Sequence, residues 1–244
     1  MKVIVLAAGY ATRLYPLTLN QPKPLLAVAG RPMLDHVLDA LAPIGGIDRV
    51  YVVTTAKFPP HFEKWAAAHP SKETLRVIND RTTDDTNKLG AIGDLHLVMT
   101  QERLDDDLLV IAGDNLFSKP LEGLVEFCQA QTTPVLGVYD VKSVEEAKKY
   151  GVVSVENGRI TSFVEKPTQA ASTLIGIALY YYPRATLPLI RQYIAEGNNP
   201  DQPGRLVQWL YPRTPVRTWS IPGLWLDIGS KETLEEAQRF FAAK

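Results

Sequence analysis

The residues best suited to chemistry follow short apolar runs. Leu6-Ala7-Ala8-Gly9-Tyr10-Ala11-Thr12-Arg13-Leu14 comes directly after Val3-Ile4-Val5. The small residues let the backbone approach a ligand closely, and the N–H groups of such a turn can cradle phosphate oxygens. Arg13 offers a charge-assisted bond to a phosphate. Downstream, Pro22 and Pro24 stiffen the segment that presents Lys23. Two cations and a tight turn after a first strand make a triphosphate site. The turn lacks the G-x-G-x-x-G dinucleotide pattern, which would need glycine in place of Ala11 and Leu14. It is not a P-loop either, since no G-K-[ST] follows.

Two aspartates stand at comparable places. Asp114, in Ala112-Gly113-Asp114-Asn115, ends an apolar run and is placed to hold Mg²⁺ beside a phosphate. Asp227, in Trp225-Leu226-Asp227-Ile228-Gly229, sits among apolar residues, where an unpaired charge would be costly. Together they suit one Mg²⁺ that keeps several waters and takes phosphate oxygens. A plainer role exists for each: Asp114-Asn115 as a turn cap, Asp227 as part of a helix start. Ser230 already fits that N-cap, with Thr233 in place of glutamate at the third helical position, so the capping box reads as incomplete. Glu165 and Lys166, before Pro167, supply an acceptor for hydroxyls and a cation for a monophosphate. On its own such a pair is usually a solvated surface feature.

The elements that must carry these residues alternate. Val3–Leu6, Val50–Val53, Asp107–Ala112 and Pro134–Tyr139 read as buried strands. Met33–Ala42 and Leu121–Ala130 read as helices. Apolar strands separated by helices predict an α/β fold, a Rossmann-like, mostly parallel sheet with helices on both faces. Ligands bind such sheets at the carboxyl ends of the strands. Later, Asn157-Gly158 between two alternating runs predicts a hairpin. Leu174–Tyr182 reads as one more strand, and Leu187–Ala195, Pro203–Tyr211 and Glu232–Ala243 as helices. The reading is a single domain over residues 1–244. Its nucleotide-binding part covers residues 1–140 approximately, and a small mixed β subregion with the closing helix covers 141–244.

Composition excludes several classes. The 244 residues are 45% apolar and 22% charged, as in ordinary globular proteins rather than disordered ones. A net charge of −1 gives no field for nucleic acid or an acidic membrane. No run reaches the length of a membrane helix, and the apolar start is too short for a signal peptide. The single cysteine, Cys128, forms no internal disulfide or Cys-based zinc site. A cytoplasmic enzyme is expected.

In order along the chain, LAAGYATRL, PKP, GDN, YGVV, EKP and WLDIG resemble the motifs of the sugar-phosphate nucleotidylyltransferases, in particular short NDP-sugar pyrophosphorylases such as glucose-1-phosphate thymidylyl-, uridylyl- and cytidylyltransferases. The resemblance runs from Met1 to the final helix. It implies a nucleotide-diphospho-sugar transferase-like fold and a Mg²⁺-dependent transfer of a nucleotidyl group from an NTP to a sugar 1-phosphate, releasing pyrophosphate. It implies nucleotide contacts at Leu6, Ala8, Gly9, Thr12, Arg13, Lys23 and Gly90, with Arg13 and Lys23 catalytic. It implies metal ligation by Asp114 and Asp227, and sugar-phosphate contacts at Gly151, Glu165 and Lys166. Homo-oligomers are common in that family.

Two positions depart from the pattern: Ala11 stands for the second glycine of the first motif, and Gly176 falls two residues before the glycine expected at Ala178. The length leaves no room for a C-terminal left-handed β-helix. A CTP-dependent cytidylyltransferase for phosphocholine or a polyol phosphate is the alternative on the same fold, although EKP favours a sugar. A non-catalytic regulatory homologue would be expected to have lost Lys23, Asp114 or Asp227, all of which are present.

Overall fold

The structure, a computed structural model, describes residues 1–243. In chain order its elements are β1 (Lys2–Leu6), β2 (Ala27–Val28), β3 (Arg31–Pro32), α1 (Met33–Leu41), β4 (Arg49–Thr54), α2 (Pro59–Ala68) and β5 (Leu75–Asn79). There follow α3 (Ala91–Gln101), β6 (Leu108–Ala112), β7 (Asn115–Phe117), α4 (Leu124–Gln129), β8 (Val135–Asp140), α5 (Val144–Ala147), β9 (Gly151–Glu156), β10 (Arg159–Glu165) and β11 (Leu174–Tyr182). The chain closes with α6 (Leu187–Ala195), α7 (Pro203–Leu210), β12 (Arg217–Ser220), β13 (Trp225–Asp227) and α8 (Lys231–Ala242). They divide into two compact units.

The first unit comprises Lys2–Lys88, Ile111–Glu122 and the chain from Pro222 on. Here the parallel expectation holds: β1 pairs parallel with β4, and β4 parallel with β5. Val3, Ile4, Val5, Val52 and Val53 are fully buried, which explains the unbroken apolar runs. Helix α1 buries Met33, Leu34, Val37 and Leu41, the face its spacing predicts. Strands β7 and β13 form a separate antiparallel pair, in which Asp227 lies opposite Asn115. The start of α8 corrects one expectation. Thr233 completes the capping box: its hydroxyl oxygen accepts from Ser230 N at 3.1 Å, while its own N–H donates to Ser230 Oγ at 3.3 Å. A threonine hydroxyl reaches back as a glutamate would.

The second unit comprises Met1, Leu89–Val110 and Gly123–Ile221. Its strands are mixed, not mostly parallel. β11 pairs antiparallel with β8, β8 parallel with β12, β12 antiparallel with β10, and β10 antiparallel with β9. β9 then pairs antiparallel with β11, so five strands close on themselves. The β9–β10 hairpin turns at Asn157 and Gly158, both at positive φ (50° and 72°), as a tight two-residue turn needs. Helix α4 starts at Leu124, later than the apolar run from Leu121 suggests, because Gly123 in the left-handed region precedes it. Among the described residues no helix is long and apolar enough to cross a membrane.

Candidate active site

Within the first unit, the loop after β1 is tied at both ends. Ala7 N donates to Val53 O at 3.0 Å, and Thr18 Oγ1 donates to Ala11 O at 2.9 Å. Leu6, at the end of β1, accepts Gly113 N on its carbonyl at 3.0 Å. Ala8, Gly9 and Thr12 follow on an accessible stretch. Ala11 adopts φ 49°, ψ 41°, the left-handed conformation that favours glycine. Arg13 is exposed and its guanidinium lies against Gly229, 3.5 Å from where a Cβ there would stand.

The Pro22-Lys23-Pro24 segment packs onto the Gly113 turn. A Cβ on Gly113 would come within 3.2 Å of Pro24 and 3.3 Å of Val5, so only glycine fits without displacement. This contact delivers Lys23. Its ammonium forms an ion pair with Asp114 and donates to Ile228 O at 2.8 Å. Asp114 and Asp227 are brought close through the backbone: Ile228 N donates to Asp114 O at 3.2 Å, and Asn115 Nδ2 donates to Asp114 Oδ1 at 3.2 Å. Asn115 is held in turn by Trp225 Nε1, which donates to its Oδ1 at 2.5 Å. The first unit therefore gathers Arg13, Lys23, Asp114 and the Asp227–Gly229 segment.

Within the second unit, Gly151 lies opposite Glu165 on β9–β10 and opposite Gly176 on β9–β11. A Cβ on Gly204, in the first turn of α7, would collide with the Glu165 carboxylate and lie 3.0 Å from Phe163 Cζ. A Cβ on Gly151 would meet the same ring and lie 3.1 Å from Glu165 Oε2. Burial pushes the Glu165 carboxyl above its ordinary range, opposed by Lys166 and Arg205. Lys166 is itself at positive φ, 46°, with its N–H donating to Tyr150 O at 3.0 Å. Gln202, just before α7, serves both side chains. Its amide nitrogen donates to Glu165 Oε1 at 2.9 Å, and its oxygen accepts from Lys166 Nζ at 3.0 Å. Tyr180 is buried, its hydroxyl held neutral by burial and by the nearby Tyr182 and Glu165.

Gly90 also belongs to the second unit. It precedes α3 at φ 78°, and a Cβ would strike the backbone of Pro200 and Asp201. The first two amides of α3 donate to Asp201 O and Pro200 O, at 3.0 and 2.9 Å. Gln202 and Gly204 carry no signal in the sequence beyond the Pro203 that starts a helix; only their place against Glu165 marks them.

Comparison with known proteins decides the family. The nucleotidyl transferase family model matches residues 2–244. The chain belongs to the nucleotidyl transferase family. A mannose-1-phosphate guanyltransferase of Gibberella zeae is 31% identical over 232 residues, covering 94% of this chain and 61% of that protein. The bifunctional protein GlmU of Methanocaldococcus jannaschii is 25% identical, covering 100% of this chain and 55% of that protein. The chain thus spans little more than half the length of these relatives. A UDP-glucose pyrophosphorylase solved with UDP-glucose superposes with a TM-score of 0.83 at 21% identity, over 99% of this chain and 98% of that one, which shows a shared fold.

Proposed function

We propose that this chain transfers a nucleotidyl group from an NTP to a sugar 1-phosphate, giving an NDP-sugar and pyrophosphate. The observation that carries the proposal is Lys23, held by Asp114 and the Ile228 carbonyl beside Asp227. A relative supports it: the mannose-1-phosphate guanyltransferase of Gibberella zeae bears the name of an enzyme of this class.

The attacking oxygen of a sugar phosphate is already anionic, so no general base is needed. The barrier lies in bringing two polyanions together, and fixed cations lower it. The loop Ala8–Thr12 with Arg13 holds the β- and γ-phosphates that leave. Lys23 faces the α-phosphate, where charge builds. Gly90 stands with the base-binding segment. In the second unit, Glu165 accepts from sugar hydroxyls, Lys166 pairs with the sugar phosphate, and Gly151 leaves room for the ring.

Asp114 and Asp227 fit Mg²⁺. They are hard carboxylate oxygens on adjoining backbone, and among the described residues no cluster of three or more metal-ligating side chains forms. Water and phosphate oxygens would complete the shell, as Mg²⁺ prefers. When bound, the ion supplies positive charge to the phosphate oxygens. Phosphocholine is disfavoured as acceptor. Tyr180 and Tyr182 stack on each other, 6.0 Å between centroids at 5°, and both are buried, so they present no open cage for a quaternary ammonium.

The test is pyrophosphate release with Mg²⁺, over the common NTPs and dTTP against a panel of sugar 1-phosphates and phosphocholine. Release that requires one NTP and one sugar 1-phosphate supports the proposal. Release with phosphocholine alone, or none from folded protein, overturns it.

A further inference from the structure

The crest of the loop after β1 is built from Ala7, Ala8 and Gly9, none of which has a side chain able to anchor it. Tyr10 does. Its hydroxyl donates to Thr82 Oγ1 at 2.9 Å, across 72 residues of sequence. The Thr82 hydroxyl in turn lies 2.8 Å from both carboxylate oxygens of Asp80, and Thr82 N donates to Asp80 Oδ1 at 2.7 Å. Asp80 is only 7% exposed, immediately after β5, and among the described residues its carboxylate accepts hydrogen bonds from Thr82 alone. The backbone on both sides of Thr82 is pinned to β4 and the turn after it: Asp80 N donates to Thr54 O, and Ala56 N to Thr82 O, each at 2.9 Å. Tyr10 thus ends a hydrogen-bonded chain whose far end is rigid.

Two unfavourable features sit on the supports of this loop. The Asp80 carboxylate is buried with no cation paired to it among the described residues, and Ala11, the next residue after Tyr10, is held in the left-handed region. Strained or costly features of this kind persist where the surroundings over-determine them, and they concentrate at functional sites.

We infer that Tyr10 is a positioning residue for the nucleotide, with Thr82 and Asp80 holding its hydroxyl so that the backbone amides around Gly9 and Ala11 are pre-set for the phosphates. The inference rests on the nucleotide reading of this loop. Tyr10 need not touch the substrate. Its ring stays half-buried, and the hydroxyl acts through the backbone that it fixes. The acceptor end of the reaction is carried by residues of the second unit and is indifferent to this chain of bonds.

The experiment compares wild type, Tyr10→Phe, Thr82→Val and Thr82→Ser. Equilibrium binding of each common NTP and dTTP is measured with and without Mg²⁺, followed by kinetics with whichever pair turns over. Tyr10→Phe and Thr82→Val each weaken nucleotide binding about tenfold, the loss expected for one hydrogen bond in a chain that ends on a carboxylate. The double variant is no weaker than either single one, because both break the same chain. Thr82→Ser, which keeps the hydroxyl, restores binding. KM for the sugar 1-phosphate stays unchanged, a split that general loss of structure would not give. Unaltered nucleotide binding in folded Tyr10→Phe, or equal weakening of both substrates, overturns the inference. Failure of the nucleotide reading looks different: wild type itself then binds no nucleotide, and the inference falls with it.

Discussion

The Lys23 ammonium rests on the Asp114 carboxylate, and both side chains are largely shielded, 15% and 21% exposed. The residue proposed to face the α-phosphate and a residue proposed to hold the metal are thus each other's partner. On that proposal a divalent cation and Lys23 would compete for the same oxygens. Lys23→Met should lower kcat by about 10²–10³-fold, the loss typical of one removed electrostatic stabiliser. It should also tighten Mn²⁺ binding without nucleotide, because the competitor is gone. Mn²⁺ titration followed by electron paramagnetic resonance reads the second effect, and weaker Mn²⁺ binding in the variant would refute the competition.

Ala11 offers a stability test. A non-glycine residue in the left-handed region costs roughly 1–2 kcal/mol, while glycine returns up to about 1 kcal/mol as unfolded-state entropy. Ala11→Gly should therefore stabilise the chain by up to about 1 kcal/mol, or roughly 2–4 °C in Tm for a protein of this size. Ala11→Val should destabilise it by more than that, since a β-branched side chain crowds the left-handed region further. Thermal melts of the two variants decide; a lower Tm for the glycine variant would show that something other than φ governs the position.

Gly204 and Gln202 test the proposed acceptor end. Gly204→Ala places a methyl group on the Glu165 carboxylate and against Phe163. Overpacking of this kind costs about 1–3 kcal/mol. KM for the sugar 1-phosphate should rise about tenfold or more while KM for the NTP holds. Gln202→Ala removes the shared partner of Glu165 and Lys166 and should raise the same KM by about tenfold, the value of one or two hydrogen bonds. Equal effects on both substrates would remove these residues from the acceptor site.

Glu165 sets a pH dependence whose sign is fixed. Burial raises its pKa above the ordinary 4.5, and Lys166 and Arg205 offset this in part. Below the ordinary value the carboxyl is protonated both folded and unfolded, and no penalty arises. As pH rises towards the raised value the unfolded chain ionises first, so the folded state binds the extra proton and stability falls. Above the raised value the full penalty stays. Denaturant titrations across this window should show a downward slope in wild type that is shallower in Glu165→Gln. Parallel curves for the two proteins would contradict it.

Much of this was legible in the residues themselves. Val3–Leu6, Leu174–Tyr182 and Leu187–Ala195 announce their elements because burial on both faces, or on one helical face, demands apolar residues at fixed spacing. Lys23, Asp114 and Asp227 stood out because charges among prolines, glycines and apolar residues need a reason. β12 did not. Arg217–Ser220 is short and half-polar, and it becomes a strand only because β8 and β10 offer edges to it. The mixed direction of β8 was hidden for the same reason, since a buried strand is apolar whichever way its neighbours run. Gln202 and Thr82 are ordinary polar residues in the sequence. Their partners, Glu165 and Tyr10, come from distant segments, and no local pattern encodes that.

The closed ring of β8, β9, β10, β11 and β12 has a consequence for how this half of the molecule can vary. In an open sheet an outer strand can slip by a residue at the expense of one ladder. Here each strand is clasped on two sides, so a slip must be passed around the whole circuit or stopped by a bulge, and it would turn every side chain of the strand to the opposite face. The spacing of Gly151, Glu165 and Gly176 is therefore owned by the circuit rather than by any one strand. Insertions and deletions should be absorbed at the Asn157-Gly158 turn and in residues 167–173, between β10 and β11, while the strands keep count. Those two connections are the places where such a scaffold can be re-tailored by changing loop length without disturbing the residues that the staves hold in step.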